Sequence, residues 1–181
     1  QLLEKYIDID SQDKHIQKIK KQCNLIKSSM RQASSLIESF KHISTDVQIE
    51  SERKIPLEKY LDDLKITFKN LDDKKNIIVN IETNTKENIN FRPGTLTQIM
   101  TNLFLNSIKH GFKDIDKGEI SIYFNYSENG LKITYRDNGK GVEKSIQEKI
   151  FEPFYTTEKF VGGTGLGLSI VKNLVENILN G

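Results

Sequence analysis

The polar residues best suited to chemistry in this 181-residue chain recur along one predicted helix. Asn102 and Asn106 are four residues apart, and Lys109 and His110 follow three and four residues later. Side chains at this spacing line one face of a helix. An asparagine carbonyl is a hard oxygen ligand of the kind that Mg²⁺ accepts, and a lysine one turn further on can meet phosphate. The competing interpretation is an ordinary solvated helix face.

A second polar group follows a predicted strand over residues 131–135. The sequence Asp-Asn-Gly-Lys-Gly occupies residues 137–141. The carboxylate of Asp137 can accept a hydrogen bond from an exocyclic amine, and glycines on either side let the backbone approach a flat ring closely. The same residues would equally make an ordinary Asp-Asn-Gly turn.

A glycine-rich segment, residues 162–168, precedes the last predicted helix. Flexible backbone that leads into a helix N-terminus presents free N–H groups to phosphate. The segment is not a Walker A loop, because no Gly-Lys-Ser/Thr follows, and Leu168 stands where the dinucleotide fingerprint needs its third glycine. A mobile loop is the competing interpretation.

The elements that must position these residues begin at Pro56. Apolar spacing predicts helices over residues 57–70, from a Thr95/Gln98 capping box onward, and over residues 167–179. Alternation predicts a strand over residues 77–81 and a hairpin of strands 120–126 and 131–135, while residues 91–94 predict a turn. The order of elements predicts an α+β fold, a two-layer α/β sandwich with its helices on one face of a mixed sheet.

A long helix precedes this domain. Apolar residues from Ile16 to Phe40 alternate at three- and four-residue spacings, and no Pro or Gly lies between residues 11 and 55. Such a heptad seam needs partner helices, from this chain or from a second copy, and we expect a homodimer. We expect residues 1–55 to be a helical hairpin with a shortened first arm, and residues 56–181 to be a domain shortened at its end, both from a longer protein.

The composition excludes several classes of protein. Hydrophobic residues are 36% and charged residues 29%, with 11 Gly and 3 Pro, which excludes collagen-like and linker sequences. The net charge of +2 is too balanced to indicate a nucleic-acid or membrane-surface partner. The single cysteine, Cys23, fits a reducing compartment, and no apolar run is long enough to span a bilayer. We therefore expect a cytoplasmic location, with any membrane attachment made by parts outside this sequence.

Together these segments resemble the four sequence boxes of sensor histidine kinases. Residues 102–107 (Asn-Leu-Phe-Leu-Asn-Ser) resemble the N box, and residues 137–141 resemble the G1 box. The sequence Phe-Glu-Pro-Phe-Tyr-Thr-Thr at 151–157 resembles the F box, and residues 163–168 resemble the G2 box. The boxes occur in the family's order, and the heptad helix resembles the second helix of the family's dimerisation and phosphotransfer hairpin.

The resemblance implies a Bergerat-type ATP-binding fold that uses ATP and Mg²⁺. It places Asn106 on the Mg²⁺ ion, Asn102 and Lys109 near the phosphates, and His110 near the ribose or the phosphates. Among these residues it implies that Asn102, Asn106 and Lys109 are catalytic.

At the other end of the nucleotide, the resemblance places Asp137 on the adenine amine, with Gly139 and Gly141 against the ring. It implies a lid over the triphosphate made by Gly163, Thr164, Gly165, Leu166, Gly167 and Leu168.

Two departures from the family's pattern matter. Glu158 separates Lys159 from the threonines of the F box, so a phosphate contact from Lys159 does not follow from the resemblance. No histidine is followed by Glu or Asp, since His15 and His42 both precede Ile and His110 precedes Gly. The resemblance therefore implies transfer of the γ-phosphoryl group to a histidine upstream of Gln1, for relay to a response regulator receiver domain.

Two other functions stay open. Gyrase-type ATPases are similar in fold and place a glutamate that activates water one helical turn before the magnesium asparagine; Asn102, at this position, is a poor general base. A nucleotide-binding or dimerisation module without transfer chemistry is the second alternative. A His-Glu or His-Asp pair upstream would distinguish a kinase from such a module.

Overall fold

The computed structural model describes residues 16–23, 26, 30, 51–71, 77–157 and 164–181. The chain divides into two compact units, one comprising Gln1–Thr45 with Thr156–Thr164 and the other comprising Asp46–Tyr155 with Gly165–Gly181. In the first unit residues 16–23 are helical, as the heptad pattern predicts. The predicted first arm of the hairpin lies outside the described residues.

The second unit contains a three-stranded sheet. Its strands are β2 (Ile78–Thr83), β4 (Glu119–Ser127) and β5 (Gly130–Asp137), in the order β2-β4-β5, with β2 parallel and β5 antiparallel to β4. The predicted hairpin is confirmed, because Ser127 pairs with Gly130 across a two-residue turn and Gly130 has a φ of +107°. The sheet is mixed, as expected.

Two long helices cover one face of this sheet. They are α1 (Leu57–Leu71) and α2 (Pro93–Asn106), and α1 lies within a residue of its predicted bounds. On β4 the alternate residues Ile120, Ile122 and Phe124 are at most 2% exposed, so one sheet face is buried. The helices contribute a core of Leu57, Tyr60, Leu61, Leu64, Phe68, Leu96, Ile99, Met100 and Phe104. The predicted α+β sandwich is confirmed.

Two strands of four residues each were not predicted. These are β1 (Arg53–Pro56) and β3 (Asn88–Phe91), which pair antiparallel in a separate sheet. Ile89 and Phe91 alternate into the core, so the period-two signal is present in β3 but spans only two apolar positions. The residues directly before Pro56 are therefore part of a sheet.

The start of α2 differs from the prediction. The helix begins at Pro93, its N-cap is Arg92, and no side chain caps it, so the capping box at Thr95 is wrong. Proline at the first helical position supplies the helical φ and lacks an N–H that would need a partner, so it begins the helix without a capping side chain. The predicted turn at residues 91–94 is instead the junction of β3 and α2.

The second helix and the last helix of this unit each end in a π-helical turn. The π-turn Ser107–Gly111 continues α2, and the π-turn Leu174–Ile178 continues α3 (Gly167–Asn173). The last predicted helix is confirmed in extent, but its final turn has the wider i→i+5 hydrogen bonding. Apolar periodicity predicts a helix without distinguishing this turn from an α-helical one.

Arg92 connects the start of α2 to the end of the last helix. Its Nη1 donates to the carbonyl of Ile178, and its Nη2 lies 4.0 Å from Glu52 Oε1. A guanidinium at the carbonyl end of a helix is favoured by the helix dipole. None of the helices in the described ranges is both long and apolar enough to cross a membrane.

Candidate functional site

Two asparagines of α2 face the start of α3. A β-carbon built on Gly167 would lie 3.4 Å from Asn106 Oδ1 and 3.5 Å from Asn102 Oδ1. The four-residue spacing therefore brings both amides to one place, as predicted. Asn102 Nδ2 donates to the Gln98 carbonyl at 2.9 Å, which holds this amide in orientation. Because residue 167 is glycine, α3 begins in close contact with both asparagines without a side chain between them.

The side chain of Asn106 has an unused donor. Its Nδ2 is buried and has no hydrogen-bond partner within the described residues. A buried donor without a partner loses the free energy of a hydrogen bond, which an acceptor bound at this position would restore. In those same ranges no three His, Cys, Asp or Glu side chains are grouped as a metal cluster would need. A hard cation with a phosphate ligand fits this donor set, because an amide oxygen and phosphate oxygens suffice to hold it.

The π-turn changes the predicted stripe of polar residues. That stripe assumed α-helical spacing from Asn102 to Lys109 or His110, but the α-helix ends at Asn106. Phe112 N donates to Ser107 O at 2.8 Å, the wider bond of a π-turn. Lys109 is exposed and His110 is half-buried. The structure thus brings the two asparagines together, whereas Lys109 and His110 lie in a π-turn, to which the α-helical spacing of the predicted stripe does not apply.

Asp137, at the end of β5, is held by two hydrogen bonds. Ser107 Oγ donates to Asp137 Oδ2 at 2.7 Å, and Gly139 N donates to Oδ1 at 2.9 Å. The next residue, Asn138, stabilises the turn, because its Oδ1 accepts a hydrogen bond from Glu119 N at 2.8 Å. The carboxylate therefore has a fixed orientation while the residue itself is exposed to solvent.

Gly139 occupies a position where a side chain does not fit. A β-carbon there would lie 2.7 Å from both Gly111 Cα and Asp137 Oδ1. Gly141 differs, because its φ is +72° and nothing lies within 4 Å of the position of its missing β-carbon. One glycine thus allows close packing inside the site, and the other allows a left-handed backbone beside open space.

The second half of the G2 box is packed against the F box. Gly165 has a φ of +66°, and a β-carbon on it would lie 2.5 Å from the carbonyl carbon of Phe154. Leu166 is only 2% exposed and Leu168 is half-buried, so the C-terminal end of the glycine-rich segment is anchored in the core. Thr164 belongs to the other unit, and Gly163 lies outside the described residues.

Comparison with known proteins identifies the family. Residues 92–181 match the family described as "Histidine kinase-, DNA gyrase B-, and HSP90-like ATPase". The chain is 43% identical to the sensor histidine kinase ZraS of Escherichia coli O157:H7 over 84 residues, which are 46% of this chain and 17% of ZraS. Residues 92–181 form a histidine-kinase ATP-binding domain. The chain matches less than a fifth of the length of ZraS, so the activity of the whole protein is a separate matter.

Two solved structures are similar to this chain over the ATP-binding domain and residues that precede it. The nucleotide-free catalytic domain of the histidine kinase ThkA is 26% identical with a TM-score of 0.59, and the match covers 70% of this chain and 80% of that one. A complex of ThkA with the response regulator protein TrrA has a TM-score of 0.65 at 21% identity, covering 88% of this chain and 44% of that one. The second likeness shows the fold alone.

Sequence reasoning missed three residues that support Asp137 in the ATP-binding domain. Ser107 donates to the carboxylate, Tyr135 Oη lies 2.9 Å from Ser107 Oγ, and Gly111 packs on Gly139. Tyr135 precedes Asp137 by two residues on β5, so period-two alternation placed both on one face of the strand. Burial raises the pKa of Tyr135 far above its ordinary value; the hydrogen bond with Ser107 opposes this shift, and the Asp137 charge adds to it.

Proposed function

We propose that this chain binds Mg-ATP along α2 and transfers its γ-phosphoryl group to a histidine. One observation carries the proposal: adjacent residues at the end of α2 and the start of its π-turn contact the two separate polar groups that the sequence singles out. Asn106 lies against Gly167, where the glycine-rich segment enters α3, and Ser107 holds Asp137. A nucleotide laid along this helix end would meet amides at one end and a carboxylate at the other.

At the phosphate end we assign Asn106 to the metal ion and Asn102 to the phosphates. Lys109 and His110 are assigned to the phosphates and ribose, with the G2 residues 163–168 covering the triphosphate. The buried, unpartnered Nδ2 of Asn106 supports this assignment, because phosphate oxygen is an acceptor. Mg²⁺ bound there would neutralise charge on the β- and γ-phosphate oxygens as the phosphoryl group leaves ADP.

At the base end we assign Asp137 to the exocyclic amine of adenine and Gly139 and Gly141 to the faces of the ring. The exposed side of Asp137 and the open space beside Gly141 support this assignment. The acceptor histidine attacks the γ-phosphorus with an unprotonated ring nitrogen, a P–N bond forms, and the bond to the ADP oxygen breaks. We place that histidine outside the 181 residues, because neither His15 nor His42 has the acceptor's sequence context.

We further propose that the chain forms a homodimer and passes its phosphoryl group to a response regulator. Ile16, Ile19, Ile26 and Met30 of the heptad seam are between 49% and 66% exposed within one chain, which supports a partner helix. The ThkA complex with TrrA supports a receiver domain as the next acceptor. A cytoplasmic location, where Mg-ATP and reduced thiols are found, is part of this proposal.

Two variants test the two ends of the site separately by calorimetry on the 181-residue chain. Asn106→Ala should lose much more ATP affinity when Mg²⁺ is present than in EDTA, where only the hydrogen bond from Nδ2 to phosphate is lost, and should transfer phosphate to a supplied acceptor hairpin about 100-fold more slowly. Asp137→Asn should lose about 10- to 100-fold in ATP affinity with or without Mg²⁺, because a charge-assisted hydrogen bond is weakened.

Matched controls are Asn177→Ala and Asp116→Asn, which change exposed residues of the same types elsewhere in the domain. Both should behave as the wild type does. Transfer is measured as acid-labile radioactive phosphate on the hairpin. A wild-type chain that binds no ATP, or that releases phosphate to water without labelling the hairpin, would overturn the kinase proposal.

A further inference from the structure

Ser107 is the one buried polar residue in the described part of the chain, with 3% of its surface exposed. Its Oγ lies 2.7 Å from Asp137 Oδ2, 2.9 Å from Tyr135 Oη and 3.3 Å from the Leu103 carbonyl. A hydroxyl has only one proton to donate, and the carboxylate is both the nearest and the strongest of these acceptors. Ser107 therefore donates to Asp137, and its oxygen accepts from Tyr135.

Each hydrogen bond in the series from Tyr135 through Ser107 to Asp137 has a fixed donor and a fixed acceptor. Tyr135 keeps its proton throughout the working pH range, because its burial opposes ionisation. It is thus a permanent donor to Ser107, which in turn is a permanent donor to Asp137 Oδ2. On the other side of the carboxylate, Gly139 N donates to Oδ1. In both hydrogen bonds described for this carboxylate the partner donates, so Asp137 is the acceptor on each side.

The buried and exposed sides of Asp137 have different roles. The hydroxyl chain reaches the carboxylate from the interior through the π-turn, and the residue's outer side is open to a ligand. A ligand group that donates hydrogen bonds matches this acceptor. A ligand carbonyl at the same place would bring two acceptors together, and sites built for one hydrogen-bonding pattern reject its inverse strongly.

We propose that Ser107 and Tyr135 are positioning residues that hold Asp137 as an acceptor and thereby make the site select a purine with a 6-amino group over one with a 6-oxo group. This inference rests on the proposed binding of the nucleotide base at Asp137. Beyond that proposal, we infer that the selection depends on the hydroxyl groups of Ser107 and Tyr135, neither of which contacts the ligand. Tyr135 acts only through Ser107.

The test compares Mg-ATP with Mg-ITP, whose bases differ at position 6. Dissociation constants are measured by calorimetry for the wild type, Ser107→Ala, Tyr135→Phe and the double variant. We expect Ser107→Ala to weaken ATP binding about tenfold and Tyr135→Phe about threefold, with ITP binding changed less than twofold, so that the ATP/ITP preference contracts. In the double variant, loss of the tyrosine hydroxyl should add nothing to loss of the serine hydroxyl.

Tyr126→Phe is the matched control, because Tyr126 lies on β4 opposite Leu131, at the far end of β5 from Asp137. It should change neither constant. Thermal unfolding of each variant checks the fold; if Ser107→Ala does not fold, the isosteric Tyr135→Phe variant decides through its ATP/ITP ratio. If the wild type binds ATP and the folded variants keep its ratio of ATP to ITP affinity, the inference is wrong while the proposed function stands. A wild-type chain that binds neither nucleotide would overturn the proposed function and this inference with it.

Discussion

At the residue scale, the candidate site depends on a glycine that lacks a β-carbon as much as on its polar side chains. Gly139 has no room for a β-carbon, since Gly111 Cα and Asp137 Oδ1 both lie 2.7 Å from the position that this atom would occupy. At Gly167, by contrast, a β-carbon would make ordinary contacts with Asn106 and Asn102, at 3.4 and 3.5 Å. Gly139 is therefore needed for close packing, which differs from the usual role of glycine as a flexible hinge.

Gly139→Ala should therefore lower ATP affinity by more than tenfold and lower the melting temperature, because the new methyl group must displace backbone or the carboxylate. Gly141→Ala provides the comparison. Nothing lies within 4 Å of its new methyl group, so the expected cost is the strain of a left-handed backbone, about 1 kcal/mol. Calorimetric titration with Mg-ATP measures both. Equal losses of affinity in the two variants would contradict the packing argument.

At the scale of elements, α1 and α2 fix the helical layer through a pair of stacked rings. The centroids of Phe68 and Phe104 are 4.3 Å apart, their planes are 7° from parallel, and neither side chain has any exposed surface. Since α2 carries both Asn102 and Asn106, this contact also sets where the two asparagines lie relative to the sheet.

Phe68→Ala should lower the free energy of unfolding by about 3 to 5 kcal/mol, because it removes a fully buried ring and leaves a cavity. Ile66→Ala on the same helix is the control: Ile66 is 58% exposed, so we expect a change within about 0.5 kcal/mol. Urea unfolding followed by circular dichroism measures both values. Similar changes for the two variants would mean that the helical layer is not held by this contact.

The elements predicted correctly are those with a long, regular apolar pattern. The period-two alternation of β4 and β5 and the helical spacing of α1 extend over enough residues to identify each element. The strands β1 and β3 have four residues each, and the π-turn at Ser107 differs from an α-turn by one residue per hydrogen-bonded ring. Neither feature has a local sequence pattern strong enough to predict it.

The candidate site shows the same limit. The asparagine pair was predictable because both residues belong to one helix, whereas Ser107 and Tyr135 meet across 28 positions of sequence. Tertiary packing creates that second kind of contact, and no local pattern predicts it. The roles of the site residues toward ATP stay predictions.

At the scale of the whole molecule, the heptad seam should control association. Ile19→Asp combined with Ile26→Asp should give monomers that still bind Mg-ATP, because each unburied methylene forgoes about 0.8 kcal/mol and a charge cannot be buried in the seam. Gln17→Asp combined with Lys21→Asp changes positions off the seam and should leave association intact. Sedimentation velocity at micromolar concentration measures the mass, and a wild-type monomer would refute the dimer.

The contact between Phe154 and Gly165 has a consequence for the length of the chain between them. The backbone of Phe154 contacts that of Gly165, so the two described ends of this segment lie next to each other. Closing a loop whose ends already meet costs only about 0.6 kcal/mol more for each doubling of its length, less than the burial of one methylene contributes. Peptides inserted between Phe154 and Gly165, including reporter tags, should thus change the folding free energy little, even where they change the rate of catalysis.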